Sequence, residues 1–147
     1  MSEIILLNRN YIDDILYIQQ VNFKDSEDYL ISKEAFLEAI LKKYIYGYLS
    51  KEKKLLAFIF MKKYDEKLRI YQIATIKTNQ GIGGELMKFI INFGINNRYK
   101  IIFLEVHTYN IRAINFYFNN GFKIIEYIKN YYKNGNSVYQ MKLEINR

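Results

Sequence analysis

The stretch Thr78-Asn79-Gln80-Gly81-Ile82-Gly83-Gly84-Glu85-Leu86-Met87, TNQGIGGELM, sets three glycines within four residues at the start of an apolar, helix-like run, in a chain that has only 7 glycines. Upstream, residues 67–76 (KLRIYQIATI) follow the alternation expected of a strand. Downstream, apolar spacing predicts a helix from Gly81 to about Asn97, and residues 100–107 (KIIFLEVH) read as a buried strand. Strand, helix and strand make a βαβ unit, which implies a parallel strand pair joined by a right-handed crossover. A ligand of such a unit sits at the carboxyl ends of the strands, beside the helix N-terminus.

That placement gives the glycines a task. A helix start leaves its first N–H groups unpaired and carries partial positive charge, and phosphate matches both. Gly81 and Gly83 lack Cβ, so backbone amides come close to a bulky anion, while Gly84 is expected to let the helix pack tightly on its strand. The stretch reads as a pyrophosphate cradle. The plainer reading, a tight strand-to-helix turn, needs only one glycine. A Walker loop is excluded, because Gly84-Glu85-Leu86 stands where Gly-Lys-Ser/Thr is required. A dinucleotide fingerprint is excluded too, because position 86 is Leu and not Gly.

The rest of the chain continues the alternation of elements. Residues 3–7 predict a strand. Residues 10–20 predict a helix with Ile12, Ile15, Leu16 and Val21 on one face and Asn10 as N-cap. Residues 32–43 predict a second helix, capped by Ser32, with Phe36, Leu37, Ile40 and Leu41 as its buried stripe. Strands follow at 45–49 and 54–63, a short helix at 111–119, and two last strands near 122–129 and 136–144 around the turn Asn134-Gly135-Asn136. The order is βααβββαβαββ: an α/β chain with a mixed sheet of about seven strands and about four helices, read as one domain over 1–147.

Composition narrows the class. The chain has 147 residues, half of them hydrophobic, enough for one domain with a real core. Cys is absent and His occurs once, so neither a disulfide framework nor a metal centre is expected. No apolar run is long enough to span a bilayer, and Glu3 interrupts any leader at once, so a cytoplasmic protein with no membrane partner is expected. The net charge of +7 would suit an anionic partner. The Lys pairs at 42–43, 53–54 and 62–63 are scattered, however, and read as solvated surface; no compact basic stripe predicts nucleic-acid binding.

The string LEVHTYNIRAINFYFNNGFKIIEYIKNYY, residues 104–132, resembles the GCN5-related N-acetyltransferase (GNAT) superfamily. It is most similar to the RimI-like and Naa50-like protein N-terminal acetyltransferases. The shared features are a Leu-Glu-Val strand, an Asn-x-x-Ala-x-x-x-Tyr helix, a Gly-Phe turn and a Tyr-Tyr pair. With the glycine loop the resemblance covers roughly residues 54–141. The loop departs from the family pattern in having Thr78 where Gln or Arg is usual, and in lacking the preceding Asp-Pro.

The resemblance implies a GNAT fold, acetyl-CoA as cosubstrate and an amine acceptor. It implies that the amides of Asn79, Gln80, Gly81, Ile82, Gly83 and Gly84 hold the pyrophosphate of CoA. The pantetheine arm would lie against the backbone of Ile73-Ala74-Thr75, where an N–H can also serve the oxyanion. Asn110 would bond the cofactor arm, although a plain N-cap explains it equally. Glu105 would be the general base and Tyr117 the general acid to the leaving thiolate. Tyr131 and Tyr132 would close over the acceptor N-terminus, facing a wall formed by Phe23 and residues 24–30.

The residues themselves allow alternatives. Glu105 stands among apolar neighbours, and a carboxylate there costs energy to bury unless it has a task or a partner, such as a Lys or Tyr hydroxyls. His107 lies two residues on, hence on the same strand face, and is expected at the substrate-side rim. Tyr117 is one of 15 tyrosines, so its spacing from Asn110 and Gly121 carries the argument. The expected acceptor is a protein or peptide N-terminus, and the protein a monomer or homodimer. A polyamine or aminoglycoside-like acceptor is one alternative. A non-catalytic acyl-CoA- or nucleic-acid-binding module is the other.

Overall fold

The computed structural model of the chain describes residues 2–24, 30–76 and 80–146. Thr78 and Asn79 of the expected phosphate loop, and residues 25–29 of the expected groove wall, lie outside them.

The predicted element order stands. It runs β1 (Glu3–Leu6), α1 (Ile12–Phe23), α2 (Lys33–Leu41), β2 (Ile45–Leu49), β3 (Leu55–Tyr64), β4 (Lys67–Thr75), α3 (Ile82–Asn96), β5 (Ile101–His107), α4 (Ile111–Asn119), β6 (Lys123–Ile128) and β7 (Val138–Glu144). The strands hydrogen-bond in the order β1-β2-β3-β4-β5-β7-β6. β4 and β5 are the parallel pair that the βαβ reading requires, with Lys67 opposite Ile101 and Arg69 opposite Phe103. The pairs β1–β2, β2–β3, β5–β7 and β6–β7 are antiparallel. By contacts the chain divides into two compact units, Met1–Lys62 with Tyr71–Lys88, and Lys63–Ile70 with Phe89–Arg147.

In the first unit, α1 and α2 bury apolar stripes in a core that includes Ile15, Ile18, Phe36, Ile40, Phe58 and Phe60. Phe36 meets Phe58 edge-on at 5.8 Å and Phe60 at 6.0 Å. Ser32 caps α2 as expected, accepting from the Ala35 N–H at 3.1 Å. Asn10 does not cap α1. A 3-10 turn over Arg9–Tyr11 precedes the helix, and Asn8 caps that turn, accepting from the Asn10 N–H at 2.9 Å. Two predicted core residues are exposed: Val21 at 47% and Leu41 at 83%. At about 100° per residue, Val21 is rotated about 120° from Ile15, and Leu41 about 140° from Phe36. Gln19 and Ala39 take the buried places instead.

In the second unit, β5 alternates: Ile102, Leu104 and Val106 are buried on one face, while Phe103 and Glu105 face the other way. Gly94 lets α3 come close, since a Cβ there would stand 2.4 Å from Ile145 and 3.3 Å from Leu68. Asn110 caps α4, accepting from the Ala113 N–H at 3.2 Å. β6, last in the hydrogen-bond order, is bulged. Ile124 pairs with Met141 and Glu126 with Gln140, which leaves Ile125 as the extra residue.

Candidate active site

The glycine loop leads into α3 as the sequence predicts. Gly81 has φ +73°, a left-handed conformation that glycine adopts at little cost, and its carbonyl accepts from the Glu85 N–H at 3.0 Å to open the helix. The expected role of Gly84 changes. A Cβ built there meets nothing within 4 Å, so close helix–strand packing is not its reason. The same openness is found at Gly81. Open space beside a helix N-terminus fits a bulky anion, so these residues suit the pyrophosphate of CoA. Gln80 and Gly81 are exposed and Ile82 is buried, anchoring the first turn.

Upstream, Ala74 is buried and Ile73 and Thr75 are half-buried near the end of β4. A network of amides that the sequence reading missed fixes this end. Gln19 on α1 accepts from the Ile31 N–H at 2.7 Å and donates to the Ile31 carbonyl at 3.0 Å. Its Oε1 also accepts from the Gln72 side chain on β4 at 2.9 Å. Asn22 donates to the Thr75 carbonyl at 2.8 Å. The α1–α2 connection and the end of β4 are thus tied to one helix. Phe23, expected in the groove wall, is packed against the first unit's core. A polar residue at a buried register, as Gln72 is within KLRIYQIAT, is the signal that could have found the network.

The second unit gathers most of the other predicted residues. The Glu105 side chain is only 6% exposed. Its Oε1 accepts from the Arg69 guanidinium and from the Tyr131 hydroxyl at 3.3 Å, and its Oε2 accepts from the Gln140 amide at 3.3 Å. The partner that sequence reasoning expected as a Lys is an Arg, and the expected Tyr hydroxyl is present. Arg69 is reached through the β4–β5 pairing, 36 residues away in sequence.

His107 was expected at the rim. Its ring is fully buried instead, stacked between Tyr109 and Tyr132 with both centroids at 4.8 Å. Aromatic faces enclose it because it closes β5 beside the β6–β7 connection. Tyr132 meets Tyr131 edge-on at 4.9 Å, so the stack that holds the Tyr pair also sets the hydroxyl on Glu105. Tyr117 on α4 is buried, with Phe116 at 5.5 Å and Phe122 at 5.7 Å. Burial pushes its phenol far above the ordinary tyrosine range, so it stays protonated at neutral pH. Asn110 Oδ1 is engaged in capping, and its Nδ2 donors have no partner among the described residues.

The first unit holds a helix N-terminus open to an anion, and the second holds an enclosed carboxylate and a protonated phenol; acyl transfer to an amine needs groups of these kinds. Comparison with known proteins agrees. The family model described as Acetyltransferase (GNAT) family matches residues 11–122. No curated protein matches the sequence. The fold is similar to the ribosomal-protein-S18-alanine N-acetyltransferase of Escherichia coli, with TM-score 0.85 and 22% identity over 100% of this chain and 96% of that one. It is similar to Ard1 of Thermoplasma volcanium, with TM-score 0.88 and 22% identity over 99% of each chain. It is also similar to PaiA N-acetyltransferase of Thermoplasma acidophilum in complex with coenzyme A, with TM-score 0.81 and 18% identity over 98% and 99%.

Proposed function

The chain belongs to the acetyltransferase (GNAT) family, and on that premise we propose that residues 1–147 form one N-acetyltransferase domain that acetylates the α-amino group of a protein or peptide N-terminus. The observation that carries this reading is Glu105: an enclosed carboxylate whose two oxygens are held by Arg69, Tyr131 and Gln140. The similarity of fold to an enzyme named for acetylating an alanine of a ribosomal protein supports the choice of acceptor.

Acetyl-CoA supplies the activated acyl group as a thioester; a C–N bond forms to the acceptor as the C–S bond breaks. The residues of the chain do the rest. Amides from Asn79 to Gly84 would hold the pyrophosphate. The backbone of Ile73-Ala74-Thr75 would line the pantetheine arm, and an N–H there would serve the oxyanion. Asn110 Nδ2 would donate to the arm. Glu105 takes a proton from the acceptor ammonium, directly or through water. Tyr117 Oη gives its proton to the leaving thiolate. Tyr131 and Tyr132 flank the acceptor.

The test is mass spectrometry of a peptide library incubated with the protein and acetyl-CoA. Peptides with a free α-amino group should gain one acetyl group, and pre-acetylated ones should stay unchanged. Modification confined to lysine side chains or to polyamines would move the proposal to the small-amine alternative.

A further inference from the structure

We propose that Arg69 is the positioning residue of the base, fixing which oxygen of Glu105 meets the acceptor; this rests on the reading of Glu105 as proton acceptor. Arg69 lies opposite Phe103 in the parallel β4–β5 pair, and its guanidinium carbon is 5.9 Å from the Phe103 ring centroid. The next residue on that face of β5 is Glu105, because side chains two apart share a face. The arginine is therefore laid over Phe103 and aimed at the carboxylate. Arg69 is 25% exposed at its side chain, so it forms the lid of the pair.

An ionised carboxylate offers about four lone-pair positions, roughly two on each oxygen. Arg69 and Tyr131 fill those of Oε1, while Gln140 uses one on Oε2. The position left is on Oε2, and Glu105 has no further partner among the described residues. Arg69 thus has two effects. It supplies the opposite charge that an enclosed carboxylate needs. Its guanidinium plane, laid over Phe103, also holds Oε1 from one fixed direction, which the flexible ammonium of a lysine does not.

Two variants separate positioning from mere charge balance. Arg69→Lys keeps the charge and loses the plane seated on Phe103; Arg69→Ala loses both and leaves room for guanidinium added to the assay. Turnover is measured with acetyl-CoA and the best peptide acceptor from the library, alongside a melting curve for each variant. Arg69→Lys should lower kcat about 10–100-fold, the scale of a misplaced reacting group, with KM for acetyl-CoA unchanged. Guanidinium should restore turnover of Arg69→Ala in a saturable way. In a Glu105→Gln background, Arg69→Lys should cost nothing further, since there is no base left to position. Wild-type kcat for Arg69→Lys, in a protein where Glu105→Gln is impaired, would overturn the proposal and leave the base reading standing. An equal loss in both backgrounds would overturn it likewise. Undiminished turnover of Glu105→Gln itself is a different result: it removes the base reading, and this proposal with it.

Discussion

Replacing Gly84 by alanine tests the phosphate cradle in a way that replacing a packed glycine could not. Gly84 is the third residue of α3, and a Cβ there meets nothing within 4 Å. The free protein therefore incurs no steric penalty, and the exchange gains helix propensity of about 0.5–1 kcal/mol. For a chain of this size that is a rise in Tm of about 1–4 °C. Gly81 provides the opposite control: at φ +73°, alanine there should lower stability by about 1 kcal/mol or more. Acetyl-CoA at about a hundred times its Kd should stabilise the native protein by about 2.7 kcal/mol. In Gly84→Ala the methyl group occupies the space read as belonging to the pyrophosphate, so that increment should vanish while the free protein melts higher. Differential scanning fluorimetry with and without acetyl-CoA reads both numbers, and calorimetric titration reads the affinity directly. An undiminished ligand shift in Gly84→Ala would refute the cradle at this position. A lower Tm for the free variant would refute the open space from which the argument starts.

Tyr117→Phe should lower kcat far more than it raises KM for acetyl-CoA, since the hydroxyl acts on the leaving thiolate; equal turnover would reduce Tyr117 to packing. The same variant carries an alkaline signature. The buried phenol keeps its proton in the folded state while the unfolded chain releases it above about pH 10. Wild type should therefore lose stability relative to Tyr117→Phe by about 1.4 kcal/mol per pH unit above that point, and parallel urea-melt curves from pH 9 to 11 would contradict this. Glu105→Gln should cut turnover by about 10²–10⁴, less at high pH where more of the amine is already unprotonated; a pH–rate profile of wild-type height would remove Glu105 from the mechanism. Gln19→Leu strips partners from both Ile31 backbone groups and from Gln72, so urea denaturation should report a loss of about 2–4 kcal/mol. A loss below about 1 kcal/mol would mean that the amide network contributes little.

The element order was legible because period-2 and period-3.6 apolar patterns report burial locally. Ser32 and Asn110 could be read as caps because a cap needs only its own next few residues. What remained hidden depends on partners distant in sequence. Arg69 looks like any polar residue of an alternating strand until β4 and β5 pair. Gln19 and Gln72 are 53 residues apart; the buried register of Gln72 signals that it needs a partner, but not that the partner is Gln19. His107 was placed at the rim because strand alternation gives a face but not what covers it. The cover is aromatic and comes from the turn after β5 and from the β6–β7 connection. Gly84 was assigned to packing because glycine before an apolar helix has two explanations, and only the space around it separates them.

The bulge at Ile125 carries a consequence for how the protein behaves at high concentration. β6 presents Ile124, Ile125 and Tyr127 to solvent, and a strand with that composition at the end of a sheet is a template for a second chain. Polymerisation needs donors and acceptors at regular spacing over several residues. The extra residue interrupts that spacing midway, so an incoming strand in register with Lys123 and Ile124 is out of register from Glu126 onward. Growth of a fibril-like ladder through this edge is expected to stall at the bulge. Removing Ile125 would make the rim regular, leaving Ile124 and Tyr127 on a continuous edge. A single inserted residue thus lets the chain keep an apolar last strand, packed on β7 by its backbone, without becoming the seed of its own precipitation.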